Sequence, residues 1–270
     1  MRDVSFGQYY PGKSFVHKCN PALKLAFLIL YIVAIFLCQN FYALGACALA
    51  FVLFACFSGI PFKTLIRSVK AVLYMLVFMV ILNLFFGVGE KVVWSCGFLK
   101  ITEEAIYWTI FLGARWFLLV LSSSLLTLTT TPVSLADGLE VLLTPLKIFR
   151  FPVHALALIM SIALRMIPIL TEETGRIMNA QKARGADFET GGLLKRVRAI
   201  LPTLIPLLIS AFRRALELSD AMEARCYSSS EVRTKYKKLS FTWRDGVALT
   251  FGIIILVGVI LLKIYTPAII

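Results

Sequence analysis

Two short segments of this sequence carry nearly the same three residues, Ala183-Arg184-Gly185 and Ala224-Arg225-Cys226. A guanidinium group presents a rigid fork of N–H donors that fits carboxylates, and the small alanine before each arginine leaves the fork free to enter a groove. The pair therefore suggests recognition of acidic groups on a partner. Local structure offers an alternative for each arginine alone, because a cation at a helix C-terminus is favoured by the helix dipole and glycine ends helices readily.

The sequence lacks the motifs that would give this chain a reaction of its own. It has no G-x-x-x-x-G-K-[ST] phosphate loop, no H-E-x-x-H and no G-x-S-x-G segment, and its two histidines, His17 and His154, lie far apart. The six cysteines show no C-x-x-C spacing, so neither a zinc site nor a disulfide framework is indicated. We expect a non-catalytic chain that binds no metal and no cofactor itself.

Composition predicts an integral membrane protein. Hydrophobic residues make up 59% of the sequence and charged residues only 16%, with a mean hydropathy of +0.85, which exceeds what soluble domains usually carry. The apolar residues form runs that predict transmembrane helices, with flanking residues or tilt completing the shorter ones. These runs are residues 25–38, 41–57, 71–86, 105–128 and 247–262. We expect no cleavable signal peptide before the first of them.

The basic residues predict how these helices are oriented. Lysines and arginines outnumber acids before the first run and follow the second run without any acid, whereas glutamates balance the lysines after the third. Because basic loops stay on the cytoplasmic side, the N-terminus is predicted to be cytoplasmic. Four spans return the chain to that side, so the polar interval 171–245, which contains both tripeptides, is predicted to be cytoplasmic as well.

Two long amphipathic helices are predicted to position the arginines. The first begins near Pro152, passes through Pro168 and ends before Gly185, and the second shows apolar residues at spacings of three and four over residues 194–222. Residues 151–170 are long enough to span lipid, but a crossing there would place the basic segment after them outside. Both helices are therefore predicted to lie on the cytoplasmic side, with one tripeptide at each C-terminal end.

The predicted fold class is all-α. We expect an integral membrane protein with four N-terminal transmembrane helices and one C-terminal transmembrane helix, plus a cytoplasmic layer of long amphipathic helices. The corresponding domains are residues 1–130, 131–240 and 241–270. A shorter helix, capped by Ser134 and ending near Leu143, completes the cytoplasmic layer.

Several segments resemble a known family. The segments Phe6-Gly7-Gln8-Tyr9-Tyr10-Pro11, Asn20-Pro21 to Lys24, Gln181 to Gly185 and Ala221 to Cys226 are similar to the transmembrane T component of energy-coupling factor (ECF) transporters. The resemblance covers nearly the whole chain. It implies a multi-pass scaffold of the cell membrane that joins two cytoplasmic ABC-type ATPase subunits, which bind ATP and Mg, to a membrane-embedded substrate-binding S component, with no role for nucleic acid.

The resemblance also implies roles for individual residues. Arg184 and Arg225, each with its neighbours in the tripeptide, would dock into one ATPase apiece. Cys226 stands where the family usually has glycine, so the second helix lacks its easiest terminator. The S component would lie against apolar faces of the two long helices, formed by Leu201, Leu204, Ile205, Leu208, Phe212, Ile159 and Ile162. Such a stripe is also typical of packing between a protein's own helices, and both uses can coexist.

Other functions stay open on the residues alone. A stand-alone secondary carrier or channel would need polar residues converging inside the bundle, and often internal repeats, but the spans are poor in acids and no repeat is visible. Arg115 is a charged residue within a span that could form a buried structural ion pair or belong to an ion path, and we favour the structural role. A conventional ABC permease subunit is a further alternative. The resemblance favours an ECF importer, and the segment Gly7 to Pro11 is more similar to vitamin-type systems than to cobalt or nickel systems, which implies a vitamin-like substrate.

Overall fold

The computed structural model describes residues 9–12, 14–86, 92–96, 99–149, 151–186, 192–227 and 242–265. The described chain is helical apart from one short hairpin, which confirms the predicted all-α class. A short 3-10 turn at Thr144–Phe149 follows the fifth helix. The elements in chain order are α1 (Pro21–Leu37), α2 (Phe41–Ser58), α3 (Phe62–Phe86), β1 (Val92–Cys96), β2 (Leu99–Thr102), α4 (Glu103–Thr129), α5 (Pro132–Leu143), α6 (Val153–Ala183), α7 (Leu193–Ala224) and α8 (Trp243–Tyr265).

Within the described ranges, α2, α4, α6 and α8 are long and apolar enough to cross a membrane. Helix α3 is a fifth candidate that bends by 66° between Phe62–Lys70 and Val72–Phe85, and α1 is apolar but shorter, with 17 residues. The five predicted runs therefore correspond to α1 to α4 and α8. Because α6 also has the length and composition of a span, its placement on the cytoplasmic side stays a prediction.

A β-hairpin occupies the connection between α3 and α4, and the predicted all-α class did not include it. Strand β1 pairs antiparallel with β2, with Cys96 opposite Leu99. The segment Val92 to Trp94 consists of β-branched and aromatic residues, which favour strands. Thr102 ends β2 and also caps α4, since its side chain accepts a hydrogen bond from the backbone N–H of Ala105. The hairpin thus sets the start of α4.

The described chain divides into two compact units, residues 1–148 with 239–270, and residues 149–238. The first unit contains α1 to α5 and α8, and the second contains α6 and α7. Helix α5 therefore groups with the membrane helices in this division. The functional division at residues 130 and 240 stays a prediction.

The predicted start of α5 is wrong. Thr131, not Ser134, is the cap: its Oγ1 accepts a hydrogen bond from the backbone N–H of Ser134 at 3.3 Å, and Pro132 fits the first turn. Both Thr131 and Ser134 carry a capping hydroxyl, and the proline decides between them. Gly138 then brings α5 against α1, because a Cβ there would lie 2.8 Å from the carbonyl carbon of Pro21.

Small residues are completely buried in α1 and α2 of the first unit. Ala34 and Cys47 are completely buried, and Tyr31 donates a hydrogen bond from its hydroxyl to the carbonyl of Cys47 at 2.9 Å. Close approach of small side chains and satisfied polar groups are what hold helices together where lipid supplies no hydrophobic drive. The stability of this core therefore depends on close contact between its side chains and on satisfied hydrogen bonds.

Lys24, in the first turn of α1, is buried and binds three oxygens of the first unit. Its Nζ donates to the carbonyls of Thr129 at 3.2 Å and His17 at 3.4 Å, and to Oγ1 of Thr130 at 3.3 Å. The carbonyl of Thr129 belongs to the last turn of α4, which has no intrahelical donor of its own. Lys24 thus joins the start of α1 to the end of α4 and balances the partial negative charge there.

Arg115 of α4 makes the reciprocal contact with the end of α1. Its Nη2 donates to the carbonyl of Phe36 at 2.5 Å, and its guanidinium carbon lies 4.8 Å from the centroid of the Phe36 ring. A charged group within apolar surroundings needs such partners. These contacts, with a backbone carbonyl and an aromatic ring, favour the structural role for Arg115.

We predict that Lys24→Met destabilises the first unit by about 2 kcal/mol, because the buried oxygens around Nζ lose their donor. The measurement is thermal unfolding of the purified chain in detergent. Lys70→Met is the matched control, since Lys70 is exposed on α3, and its unfolding temperature should equal that of the wild type. Equal unfolding temperatures for Lys24→Met and the control would show that the contact between Lys24 and the end of α4 does not stabilise the first unit.

Candidate partner-binding site at the ends of two long helices

Arg184 and Arg225 occupy the same position at the ends of α6 and α7. Each is the C-cap residue, the first beyond the last helical residue, with φ and ψ of −84° and 5° for Arg184 and −94° and 14° for Arg225. Helix α6 ends at Ala183 and α7 at Ala224, as the sequence predicted. The two tripeptides are therefore equivalent in backbone position as well as in composition.

The end of α6 has the hydrogen bonds of a Schellman motif. Gly185 takes a left-handed conformation with φ of 88°, and its N–H donates to the carbonyl of Lys182 at 3.0 Å. The N–H of Ala186 then reaches back to the carbonyl of Gln181, also at 3.0 Å. These two bonds satisfy carbonyls that a helix end otherwise leaves free.

The end of α7 has the same motif without a glycine, because Cys226 takes the position that Gly185 takes at the end of α6. Cys226 is left-handed with φ of 54°, and no other non-glycine residue of the described chain has a positive φ. Its N–H donates to the carbonyl of Glu223 at 2.8 Å, and the N–H of Tyr227 donates to that of Met222 at 3.0 Å. Cysteine accepts a strained conformation here because both bonds of the motif form.

Both guanidinium groups are available to a partner. All six residues of the tripeptides are exposed. The backbone N–H groups of the motif already satisfy carbonyls at each helix end, and within the described residues neither Arg184 nor Arg225 uses its side chain in a hydrogen bond or an ion pair. Attraction to the helix dipole remains, but the five donors of each arginine stay open to acidic groups on another protein.

The contacts between α6 and α7 place Arg184 and Arg225 at opposite ends of this helix pair. Glu173 pairs with Arg214 at 3.7 Å, and Nε2 of Gln181 lies 3.5 Å from the carbonyl of Pro202. Because the later residue of α6 meets the earlier residue of α7, the helices run antiparallel. At about 1.5 Å of rise per residue, each arginine lies about 16 Å beyond the Glu173 to Arg214 contact, in opposite directions.

A proline explains the contact at Gln181, which was not predicted from the sequence. Pro206 has no N–H, so the carbonyl of Pro202, four residues earlier, lacks its usual helical donor. Gln181 supplies a donor from α6, three residues before Arg184. A proline four residues after an exposed carbonyl is a signal that the sequence carries, but the identity of the donor depends on how the two helices pack.

The apolar stripe of α7 faces away from α6. Leu201, Leu204, Ile205, Leu208 and Phe212 are between 49% and 64% exposed, whereas Thr203 is buried. On α6, Ile159 is exposed and Ile162 is half-buried. Packing between α6 and α7 therefore leaves this stripe uncovered, so its apolar residues are available to lipid or to a membrane-bound partner.

These features define a class of protein. The chain is a predominantly helical membrane protein whose two long helices end in matching exposed cations and carry an uncovered apolar stripe. Such surfaces serve binding to other proteins.

Comparison with known proteins identifies the family. The family described as cobalt transport protein, CbiQ, matches residues 12–236. The energy-coupling factor transporter transmembrane protein EcfT of Ruminiclostridium cellulolyticum is 44% identical over 263 residues, covering 97% of this chain and 98% of that protein. The EcfT proteins of Brevibacillus brevis and Bacillus subtilis are 44% and 42% identical, over 95% and 91% of this chain and 97% and 92% of theirs. The chain belongs to the EcfT/CbiQ family of transmembrane components of ECF transporters.

Membership of this family gives the general function of the protein. The protein is a membrane subunit of an ECF transporter and works in a complex with other components of that transporter. The N-terminal part of the family resemblance, Phe6 to Gln8, lies outside the described residues. Of the remainder, Tyr10 donates its backbone N–H to the carbonyl of Leu128 at 2.9 Å, which joins this segment to the end of α4.

We predict opposite effects of exchanging the two left-handed residues. Cys226→Gly should stabilise the end of α7 and Gly185→Cys should destabilise the end of α6, each by about 1 kcal/mol, because only glycine adopts a positive φ without a steric cost. The measurement is hydrogen exchange of the amides at residues 226–227 and 185–186. Nothing lies within 4 Å of a Cβ added at Gly185, so crowding does not contribute.

Cys226→Ala separates the backbone from the thiol in this experiment. Alanine keeps the steric cost and removes the sulfur, so its exchange should match that of the wild type. If Cys226→Ala slowed exchange as much as Cys226→Gly, the thiol rather than the left-handed backbone would account for the effect.

Proposed function

We propose that Arg184 and Arg225 each dock into one of two cytoplasmic ABC-type ATPase subunits. The observation that carries this proposal is the repetition of one structural motif: two exposed arginines, each at a Schellman end, on opposite sides of an antiparallel helix pair. Each arginine keeps its donors free for a forked hydrogen bond to carboxylates. The ATPases bind ATP and Mg, and this chain contributes no catalytic group.

The placement of the arginines favours two partner subunits over one. Each end lies about 16 Å beyond the contact between Glu173 and Arg214, so two separate grooves are needed to receive them. An arginine that enters a groove loses water, and a charge-assisted bond made there is stronger than one at an open surface. In this proposal, the N-terminus and the segment containing α6 and α7 are cytoplasmic.

The apolar stripe of α7 would serve the third partner, a membrane-embedded S component that binds the substrate. Leu204, Ile205 and Leu208 are exposed and adjacent, and they form a surface that a hydrophobic partner can cover. Ile159 and Ile162 of α6 would extend this surface. The substrate is a vitamin-like micronutrient chosen by the S component.

The proposed mechanism is mechanical coupling. ATP binding draws the two ATPases together and carries the helix ends at Arg184 and Arg225 with them. The contacts at Gln181 and Glu173 link the two helices, so a shift of either end changes the position of the stripe beneath the S component. For this to work, the helix ends must bind the ATP-bound and nucleotide-free ATPases with different affinity.

We predict that Arg184→Ala with Arg225→Ala abolishes assembly with the ATPases, whereas each single variant loses at least tenfold in affinity. The measurement is co-purification followed by uptake of the radiolabelled vitamin into proteoliposomes. Arg213→Ala is the matched control, because Arg213 is also exposed on α7, and it should assemble normally. Full transport by the double variant would sink the proposal.

We predict that Leu204→Glu with Leu208→Glu releases the S component but keeps both ATPases. Two carboxylates in the stripe would have to be desolvated when a hydrophobic partner covers them. The measurement is the subunit composition of the purified complex by mass spectrometry. Ser219→Glu, on an exposed position of the same helix, is the control and should retain all partners. Retention of the S component by the double variant would show that it binds elsewhere.

A further inference from the structure

A groove in the first unit suggests a binding function separate from the coupling to ATPases. It has a volume of about 290 Å³ and lies between the second half of α2 and the first half of α8. Its walls are wholly apolar and rich in aromatic rings. The lining side chains on α2 and α8 include Leu53, Phe54, Phe57, Trp243, Ala248 and Phe251.

The base of the groove is built from packed aromatic rings. Phe27 of α1 stacks on Phe54 with 4.6 Å between ring centroids and lies 6.4 Å from Phe251 in the same stacked arrangement. Gly252 permits this approach, because a Cβ there would lie 2.9 Å from Cδ2 of Phe27. The groove is therefore preformed, and an apolar space of this size takes up apolar molecules, as an engineered cavity of roughly 150 Å³ takes up benzene.

The position of the groove indicates that a hydrocarbon chain would fill it. Both α2 and α8 are long and apolar enough to span a membrane, so a groove between them meets the acyl chains of the bilayer. Trp243, 83% exposed, lies at the start of α8, where tryptophan anchors a span at the lipid headgroups. An acyl chain lying along Phe54 and Phe251 would have its headgroup near Trp243.

The charges near the Trp243 end of the groove indicate which kind of lipid headgroup would bind there. No acidic residue occurs between Asp3 and Glu90 in the sequence, and this stretch supplies two borders of the groove. Lys18, two residues after the lining residue Val16, and Lys63, six residues after Phe57, are both exposed. The acid on α8, Asp245, is buried, is not among the lining residues of the groove, and accepts hydrogen bonds from the backbone N–H groups of Asn20 and Thr242.

We propose that this groove is a binding site for an anionic phospholipid, with one acyl chain between α2 and α8 and the phosphate held by Lys18 and Lys63. Basic residues at a membrane surface attract anionic lipid additively. The site is independent of ATPase docking, since none of its residues belongs to the two tripeptides.

The test uses Trp243 as a reporter in the full chain. Replacing Trp94, Trp108 and Trp116 with phenylalanine leaves Trp243 as the single tryptophan. Titration with phosphatidylglycerol brominated on its acyl chains should quench the fluorescence saturably, at a concentration about fivefold lower for each lysine that contributes than with brominated phosphatidylcholine. The lipids are added in mixed detergent micelles.

Two pairs of variants locate the site. Ala248→Phe fills the groove and should abolish saturable quenching, whereas Ala46→Phe, an exposed position on α2, should leave it unchanged. Lys18→Gln with Lys63→Gln should keep quenching but remove the preference for phosphatidylglycerol. Circular dichroism and thermal unfolding confirm that each variant is folded.

Three results would overturn the proposal. Equal quenching by the two lipids would show that the site does not prefer an anionic headgroup. Undiminished quenching in the folded Ala248→Phe variant would place the lipid elsewhere. Loss of quenching when the chain is assembled with its membrane-embedded partner would show that a protein occupies the groove in the working complex.

Discussion

The left-handed backbone at residues 185 and 226 is the constraint on which the proposed site depends. It lets the chain turn back at once, so that two backbone N–H groups satisfy carbonyls at each helix end. Each arginine is then released from capping its own helix and presents its donors outward. At residue 226 this arrangement persists in spite of the steric cost that a cysteine brings, which shows that the conformation is held by its hydrogen bonds and does not depend on glycine.

Cations of the first unit play the opposite role. The buried Lys24 and the half-buried Arg115 bind backbone carbonyls at the ends of α4 and α1, each cation coming from the other helix. An arginine therefore either holds membrane helices together, as Arg115 does, or stays exposed at a helix end, as Arg184 and Arg225 do. What decides is whether free carbonyls remain at the helix end. At the ends of α6 and α7 the chain's own N–H groups have already satisfied them.

Local signals predicted most of the fold, and packing determined the rest. Gly185, the helical periodicity and the length of the apolar runs gave the ends of α6 and α7 and the five predicted runs, because each signal acts within a few residues. The left-handed Cys226 was not predictable from its residue type, and the hairpin before α4 requires a pairing between two segments. The stripe at Leu204 and Leu208 was ambiguous for another reason: in a membrane protein, apolar residues face lipid or partners as readily as a core.

In the proposed complex, two arginines at opposite ends of one helix pair reach two separate ATPases. Photo-crosslinking residues placed at Ala183 and Ala224 of one chain, within the assembled transporter, test it directly. We expect irradiation to give a covalent product that contains one copy of this chain and two ATPase subunits, resolved by its mass. A largest product with a single ATPase, or crosslinks to lipid alone, would contradict the account.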